Sequence, residues 1–123
     1  MASIYVKKLA QGGGQLIVDG KPFLMRAAEL NNSSLSSRRF MREVFPRMVE
    51  NNVNTLLGAV SWQQIEPEED VFDFKELIGV IEDARTHGLR LVLLWFGAFK
   101  NGNSAVRSVM LIPQESLSTF QIG

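Results

Sequence analysis

Carboxylates, amides and tryptophans follow two predicted strands of this sequence, at the points where each strand ends. Residues 53–60 form an apolar run of the length expected for a strand buried on both faces, and Trp62 and Glu66 come directly after it. An earlier predicted strand leads into Glu29 and Asn31. Enzymes of the α/β class build their sites from such groups at the C-terminal ends of parallel strands. The sequence therefore predicts a site at these strand ends.

A third predicted strand, residues 89–96, repeats the arrangement with Trp95 and, further on, Asn101. Two interpretations stay open for both residues. Trp95 ends an apolar strand and is also typical of a core residue, and Asn101 with Gly102 is also typical of a simple turn. Trp62 has polar neighbours on both sides, which favours a position at the mouth of the site.

Two predicted helices connect these strands and must position their ends. The first lies between residues 35 and 51, with Pro46 inside it, and carries an apolar stripe at helical spacing: Phe40, Met41, Val44, Phe45, Met48 and Val49. The second begins near Asp73, which has capping-box spacing to Glu76, and ends at Gly88. The order of elements is therefore β–α–β–α–β.

A β-hairpin is predicted ahead of this unit, at residues 15–24. Asp19-Gly20 supplies the positive φ angles of a two-residue hairpin turn. The glycine run at residues 12–14 precedes a strand and lacks the Lys and Ser/Thr of a phosphate-binding loop. Residues 1–14 are therefore predicted to be a flexible lead-in.

Composition narrows the classes of function. The 123 residues carry 13 basic and 13 acidic side chains, which argues against nucleic acid or a membrane surface as partner, since both need a basic patch. No cysteine is present, so disulfides and thiolate metal sites are excluded, and the single histidine, His87, does not make a metal site. No metal and no cofactor are expected. The sequence shows neither a signal peptide nor an apolar run long enough to span a membrane, which predicts a cytoplasmic protein.

The order of elements predicts part of a larger architecture. Crossovers between parallel strands are right-handed, so three strands adjacent in sequence order would place both helices on one face of the sheet. The other face and the edge of the third strand would then need a cover. The pattern fits the first three β/α units of a TIM (β/α)8 barrel that is incomplete, and predicts self-association through the open sheet edge.

Four segments resemble the N-terminal part of clan-A glycoside hydrolases, the β-galactosidase-like enzymes of the family 42 and family 35 type. LIVDGKPFLMRAAEL is similar to their "dGkPf…gaElH" opening, with Asn31 where histidine is common. FPRMVENNVNTLLGAVSW resembles their helix followed by an Asn-Thr strand. IEPEEDVFDF is similar to "xEPxxGxFDF", with Asp70 at the usual glycine, and LRLVLLWFGAFKNG resembles the third strand and its "WfgxwKNG" loop. The resemblance covers residues 16–102.

The resemblance implies a retaining hydrolase of O-glycosidic bonds with a β-galactoside-like carbohydrate as substrate. It places the two catalytic glutamates after the fourth and seventh strands, so no catalytic residue is assigned in this chain and the chain alone is expected to be inactive. Glu29 and Glu66 stay open as an alternative catalytic pair, since a retaining enzyme needs two carboxyls about 5–5.5 Å apart. The implied role of the strand ends is half of a sugar-binding rim, made of Glu29, Asn31, Trp62, Glu66, Trp95 and Asn101.

The predicted organisation has three parts. Residues 1–14 are the lead-in, residues 15–103 form the partial barrel, and residues 104–123 lose the family pattern. That loss suggests a truncated or mis-spliced reading frame. The alternative function is a small self-contained α/β binding or interaction domain without catalysis.

Overall fold

A computed structural model describes residues 3–96. The described residues fall into two units, one comprising residues 3–25 and the other residues 26–96. The predictions for Asn101 and for residues 104–123 lie outside the described residues.

The first unit is an antiparallel sheet of strands β1 (Ile4–Lys8), β2 (Gly14–Val18) and β3 (Lys21–Pro22), in that order. Asp19 and Gly20 join β2 to β3 with φ angles of 51° and 76°, as a two-residue hairpin turn requires. The sequence prediction contained no strand before Gln15, whereas β1 pairs with β2 along its whole length. Every residue of β1 is exposed, so it carries no apolar alternation by which it could be recognised.

The second unit is a mixed α/β structure around a parallel sheet. Its strands are β4 (Ala27–Glu29), β5 (Thr55–Ser61) and β6 (Arg90–Phe96), ordered β4-β5-β6. Its helices are α1 (Arg38–Glu50), α2 (Trp62–Ile65) and α3 (Lys75–Thr86), with a 3-10 turn at Ser34–Ser36. Strand order follows sequence order, as predicted, and the described strands form an open sheet. The sequence prediction did not contain α2 or the 3-10 turn.

The core lies between the sheet and helices α1 and α3. Phe45 and Met41 of α1 are fully buried, and Leu56 and Val60 of β5 face them. The buried cluster consists of Leu35, Met41, Phe45, Leu56, Val60, Ile65, Leu77, Val80, Ala84 and Leu89. Both long helices therefore cover the same face of the sheet, as right-handed crossovers between neighbouring strands require.

Two residues of the predicted apolar stripe of α1 lie at the surface. Phe40 is 48% exposed and Val49 is 44% exposed, whereas the adjacent Met41 is fully buried. Successive residues of a helix are about 100° apart, so Phe40 and Met41 cannot both point directly into the core. Ser37 caps the N-terminus of α1, since its Oγ accepts a hydrogen bond from Phe40 N at 3.2 Å.

The predicted capping box of α3 is wrong. Asp73 Oδ1 accepts a hydrogen bond from Lys75 N at 2.9 Å, two residues along the chain, and α3 begins only at Lys75. Glu76 instead accepts a hydrogen bond from Arg38 N at 2.8 Å. Its carboxylate therefore joins the start of α3 to the start of α1, which requires a tertiary contact that spacing along the chain does not show.

Asp83 joins α3 to α1 through two arginines. Arg38 Nε and Nη2 donate to its two oxygens at 2.8 and 2.9 Å, and Arg42 Nε donates at 2.9 Å. These hydrogen bonds, chiefly those from Arg38, hold the pKa of the Asp83 carboxyl well below its usual range. Because the folded state binds the proton more weakly than the unfolded state, this stabilisation is complete above the ordinary carboxyl pKa and is lost as pH falls through and below about 4.

We therefore expect Asp83→Asn to lower the free energy of unfolding near neutral pH. The difference from the original chain should shrink steadily as the pH is lowered below about 4, because protonated Asp83 no longer forms the ion pair. Urea unfolding between pH 7 and 2 measures this difference. Glu82→Gln is the matched control, since the neighbouring Glu82 is more exposed and lies 3.9 Å from Arg38. A constant difference at all pH values would contradict the assignment.

Candidate functional site

The C-terminal end of β5 leads directly into a short helical turn. Ser61, the last residue of the strand, caps α2, because its Oγ accepts a hydrogen bond from Gln64 N at 3.3 Å. Trp62 is thus the first residue of a helical turn and not part of an open loop. Ile65, the last residue of the turn, is buried in the core. The turn is therefore held at both ends, which restricts where the Trp62 side chain lies.

Trp62 and Trp95, predicted separately from two strand ends, contact each other. Their ring centroids are 5.5 Å apart, with planes at 71°, which is the edge-to-face arrangement that indoles favour. Trp62 is half-buried, and Trp95 is 41% exposed, so neither is a fully buried core residue. Part of the indole surface of the pair therefore stays open to solvent.

The register of β6 decides the face on which this pair lies. Trp95 stands opposite Val60, whose side chain belongs to the core beneath the helices. Residues opposite each other in a sheet share a face, so Trp95 projects toward the helix side. The sequence prediction favoured the mouth of the site for Trp62, left Trp95 open between core and site, and did not distinguish the two faces of the sheet.

Glu66 is buried, although it was predicted on the polar rim. It is 7% exposed, and its Oε1 accepts a hydrogen bond from Asp70 N at 2.7 Å. Its Oε2 is buried and has no hydrogen-bond partner among residues 3–96. One carboxylate oxygen is thus bound to the backbone of the loop that follows.

Glu29 and Asn31 are exposed near the end of β4. Glu29 is in register with Leu57, four residues before the end of β5 at Ser61. At the rise of a strand, four residues correspond to roughly 13 Å along the sheet. This offset, together with the burial of Glu66, does not favour Glu29 and Glu66 as a catalytic pair, which would need to lie about 5–5.5 Å apart.

A polar cleft of about 450 Å³ lies beside these strand ends. Its lining combines hydroxyl, amide and carboxylate groups from Asn32, Ser33, Ser36, Ser61, Gln63, Gln64, Asp73 and Glu76. Several are already engaged: Gln64 Nε2 donates to Leu35 O at 3.1 Å, and Asp73 and Glu76 each accept a backbone N–H. Since none of the described residues that line it is basic, the cleft suits a neutral polar ligand better than an anion.

The sequence analysis did not select these cleft residues as site residues, although four of them are polar residues that follow a strand. Asn32 and Ser33 follow β4, and Gln63 and Gln64 follow β5, just as the selected residues do. Asp73 and Glu76 were assigned to a capping box, which removed them from consideration. Their convergence on one cleft depends on how α1 and α3 begin side by side.

Neither a cluster of metal ligands nor a membrane-spanning helix is present in the part of the chain that the structure describes. No group of three or more His, Cys, Asp or Glu residues lies close enough together there to hold a metal ion. None of the helices in that part has the length and apolar character needed to cross a membrane.

Comparison with models of known protein families identifies the family of this chain. A comparison with curated proteins found no match. A family model described as beta-galactosidase, that of glycoside hydrolase family 42, matches residues 32–95. The match runs from the residues after β4 to Trp95 and covers just over half of the 123 residues. It therefore includes α1, β5, α2, α3 and all but the last residue of β6, together with the tryptophan pair and Glu66. The chain belongs to the beta-galactosidase family of glycoside hydrolases, family 42.

Proposed function

We propose that this chain provides the first three β/α units of a (β/α)8 barrel in a retaining, β-galactosidase-like glycoside hydrolase. The family match over residues 32–95 carries the proposal. Three parallel strands in sequence order, with both long helices on one face, support it, because a barrel is built by repeating this unit. In this proposal residues 15–103 form the barrel part, preceded by a lead-in and followed by a tail.

The proposed role of the strand ends is to bind the sugar. Trp62 and Trp95 supply indole surface for the apolar side of a pyranose ring. Glu29, Asn31 and Asn101 accept and donate hydrogen bonds to its hydroxyl groups. The contact between the two tryptophans supports this assignment, since aromatic surface that is partly exposed at a strand end is typical of ligand sites.

We expect this chain alone not to hydrolyse glycosides. The family resemblance puts the acid/base and the nucleophile at the ends of the fourth and seventh strands, and the matched region carries neither. A glycosidase needs both carboxyl groups on the two sides of the scissile bond. The three units would therefore bind a sugar and leave it intact.

Fluorescence tests this proposal directly, because Trp62 and Trp95 are the only tryptophans of the chain. We expect methyl β-galactoside to change the emission saturably, and Trp62→Ala to weaken binding about tenfold, equivalent to about 1.4 kcal/mol. Phe72→Ala is the control, since Phe72 is exposed and stacks on Phe74 instead of the tryptophan pair. No aryl β-galactoside should be hydrolysed. Absence of a saturable change would refute the sugar site, and turnover abolished by Glu66→Gln would refute the assignment of the catalytic residues.

The state of the purified chain distinguishes a part of a barrel from a self-contained domain. Trp95 and Ile78 are 41% and 52% exposed, and among the described strands β6 pairs only with β5. We therefore propose that the chain associates with itself through the β6 edge of the sheet. We also propose that the dye ANS binds to the exposed apolar side chains. Size-exclusion chromatography and dye fluorescence measure both properties. A compact monomer that binds no dye would favour the alternative, a small α/β binding or interaction domain.

A further inference from the structure

We infer that Glu66 is a positioning residue, whose buried carboxylate holds the loop after α2 and thereby fixes Trp62 against Trp95. In this assignment Glu66 does not contact the ligand. The inference rests on the proposed function only in its last step, where Trp62 contacts a sugar. The arrangement of the loop stands on the contacts within the chain.

Glu66 is bonded to both segments that it joins. Its backbone N–H donates to Trp62 O at 2.8 Å, which closes the α2 turn. Its side-chain Oε1 accepts from Asp70 N at 2.7 Å, which closes the loop. A carboxylate that accepts a backbone N–H forms one of the stronger hydrogen bonds found in proteins, especially where water is excluded. A single residue therefore couples the position of Trp62 to the path of the loop.

The loop is shaped so that its amide reaches this carboxylate. Asp70 adopts a φ of 61°, in the left-handed region, and Val71 N donates to Glu68 O at 3.0 Å. The chain then returns, as Asp73 N donates to Ile65 O at 2.7 Å. Ile65 comes directly before the loop and is buried in the core, so its carbonyl gives Asp73, at the far end of the loop, a fixed acceptor. The carboxylate adds a side-chain contact in the middle of the loop, at the residue with the left-handed backbone, beside the backbone bonds of Val71 and Asp73.

Burial separates this role from direct binding of ligand. Glu66 is 7% exposed, and its Oε2 is buried without a partner among the residues that the structure describes. Little of this side chain is therefore open to a sugar hydroxyl, and Oε2 is closed to it. The carboxylate therefore acts through Oε1 and the Asp70 amide. A glutamine side chain can keep this contact, because its amide oxygen accepts from Asp70 N as Oε1 does.

The two glutamate variants distinguish positioning from ligand contact. Near-ultraviolet circular dichroism reports on the packing of Trp62 and Trp95, and fluorescence titration with methyl β-galactoside reports on binding. We expect Glu66→Ala to reduce the tryptophan dichroism and to weaken sugar binding about tenfold or more. Glu66→Gln should restore the dichroism and return binding to within about threefold of the original chain. Asp70→Gly is the matched control, since it keeps the backbone N–H and removes the strain of a side chain at positive φ.

The outcomes are separable. If Glu66→Gln binds sugar as weakly as Glu66→Ala while the dichroism is unchanged in both, Glu66 contacts the ligand and the inference is wrong. If the original chain binds no sugar, the proposed function fails, while the dichroism of the variants still tests the positioning role. Amide exchange measured on the unaltered chain covers the case in which Glu66→Ala does not fold. The Asp70 amide should exchange at least tenfold more slowly than the neighbouring Glu69 amide, and equal exchange would overturn the inference.

Discussion

Replacement of Phe45 by Ala is expected to lower the free energy of unfolding by about 3–5 kcal/mol, as is typical of fully buried aromatic residues. Phe45 is 0% exposed, and its ring centroid lies 5.5 Å from that of His87 at the end of α3. Truncation would open a cavity at the point where α1, α3 and the sheet meet. Single domains are stable by about 5–15 kcal/mol, so much of the stability would be lost. Urea or thermal unfolding followed by far-ultraviolet circular dichroism measures the effect.

Phe40→Ala is the matched control for this prediction. The two residues belong to the same helix and to the same predicted apolar stripe, but Phe40 is 48% exposed. We expect its truncation to cost less than about 1 kcal/mol, as surface substitutions usually do. Equal losses for the two variants would show that the assignment of the core side of α1 is wrong. This pair therefore tests the main difference between the predicted stripe and the observed core.

Gly58→Val is expected to have the second large effect, a loss of about 3 kcal/mol, and Gly58→Ala a loss of about 1–2 kcal/mol. Gly58 lies in β5, directly beneath the fully buried Leu35 of the 3-10 turn. A Cβ added at Gly58 would lie 2.6 Å from Leu35 Cγ, closer than carbon atoms can approach. Since Leu35 is enclosed by the core, it cannot move aside without displacing its neighbours. Unfolding measurements on both variants give the size of the effect.

A double variant provides the control for Gly58. Leu35→Ala alone should destabilise by about 2–5 kcal/mol, because it leaves a cavity above Gly58. In the pair Gly58→Ala and Leu35→Ala the new methyl group enters that cavity, so the combined loss should be smaller than the sum by at least about 1 kcal/mol. Simple additivity would contradict the contact between the two residues. The same contact explains why a glycine occupies the middle of a buried strand.

Elements that depend on local pattern could be predicted from the sequence. The spacing of apolar residues indicated α1 and α3, continuous apolar runs indicated β5 and β6, and Asp19-Gly20 indicated the hairpin turn. The elements that were not predicted carry no such pattern. Strand β1 is exposed along its length, and α2 is a single turn whose cap, Ser61, is also the last residue of a strand. Short or exposed elements are decided by their neighbours in space and not by periodicity.

In the candidate site, too, some features could be predicted from the sequence and others depended on neighbours in space. The sequence identified Trp62 and Trp95 as residues at strand ends, and parallel strands bring their ends together, so their contact follows from topology. The face on which they lie depends on the register of β6 against β5, which the apolar pattern could not settle because β6 is apolar on both sides. The cleft could not be predicted from the sequence, because its lining depends on how the starts of α1 and α3 meet in space.

By itself the sequence determined the family, the order of the three parallel strands and the two long helices, and the residues that follow the strands. These depend on residue types and spacing along the chain. Only the tertiary structure decided what each polar group contacts: Glu66 accepts the amide of Asp70, and Glu76 accepts that of Arg38. Both carboxylates had been assigned other roles from their sequence positions. The physical reason is that a carboxylate can serve a ligand, a helix end or a loop equally well, and its role is settled by which donors the fold brings within hydrogen-bonding distance.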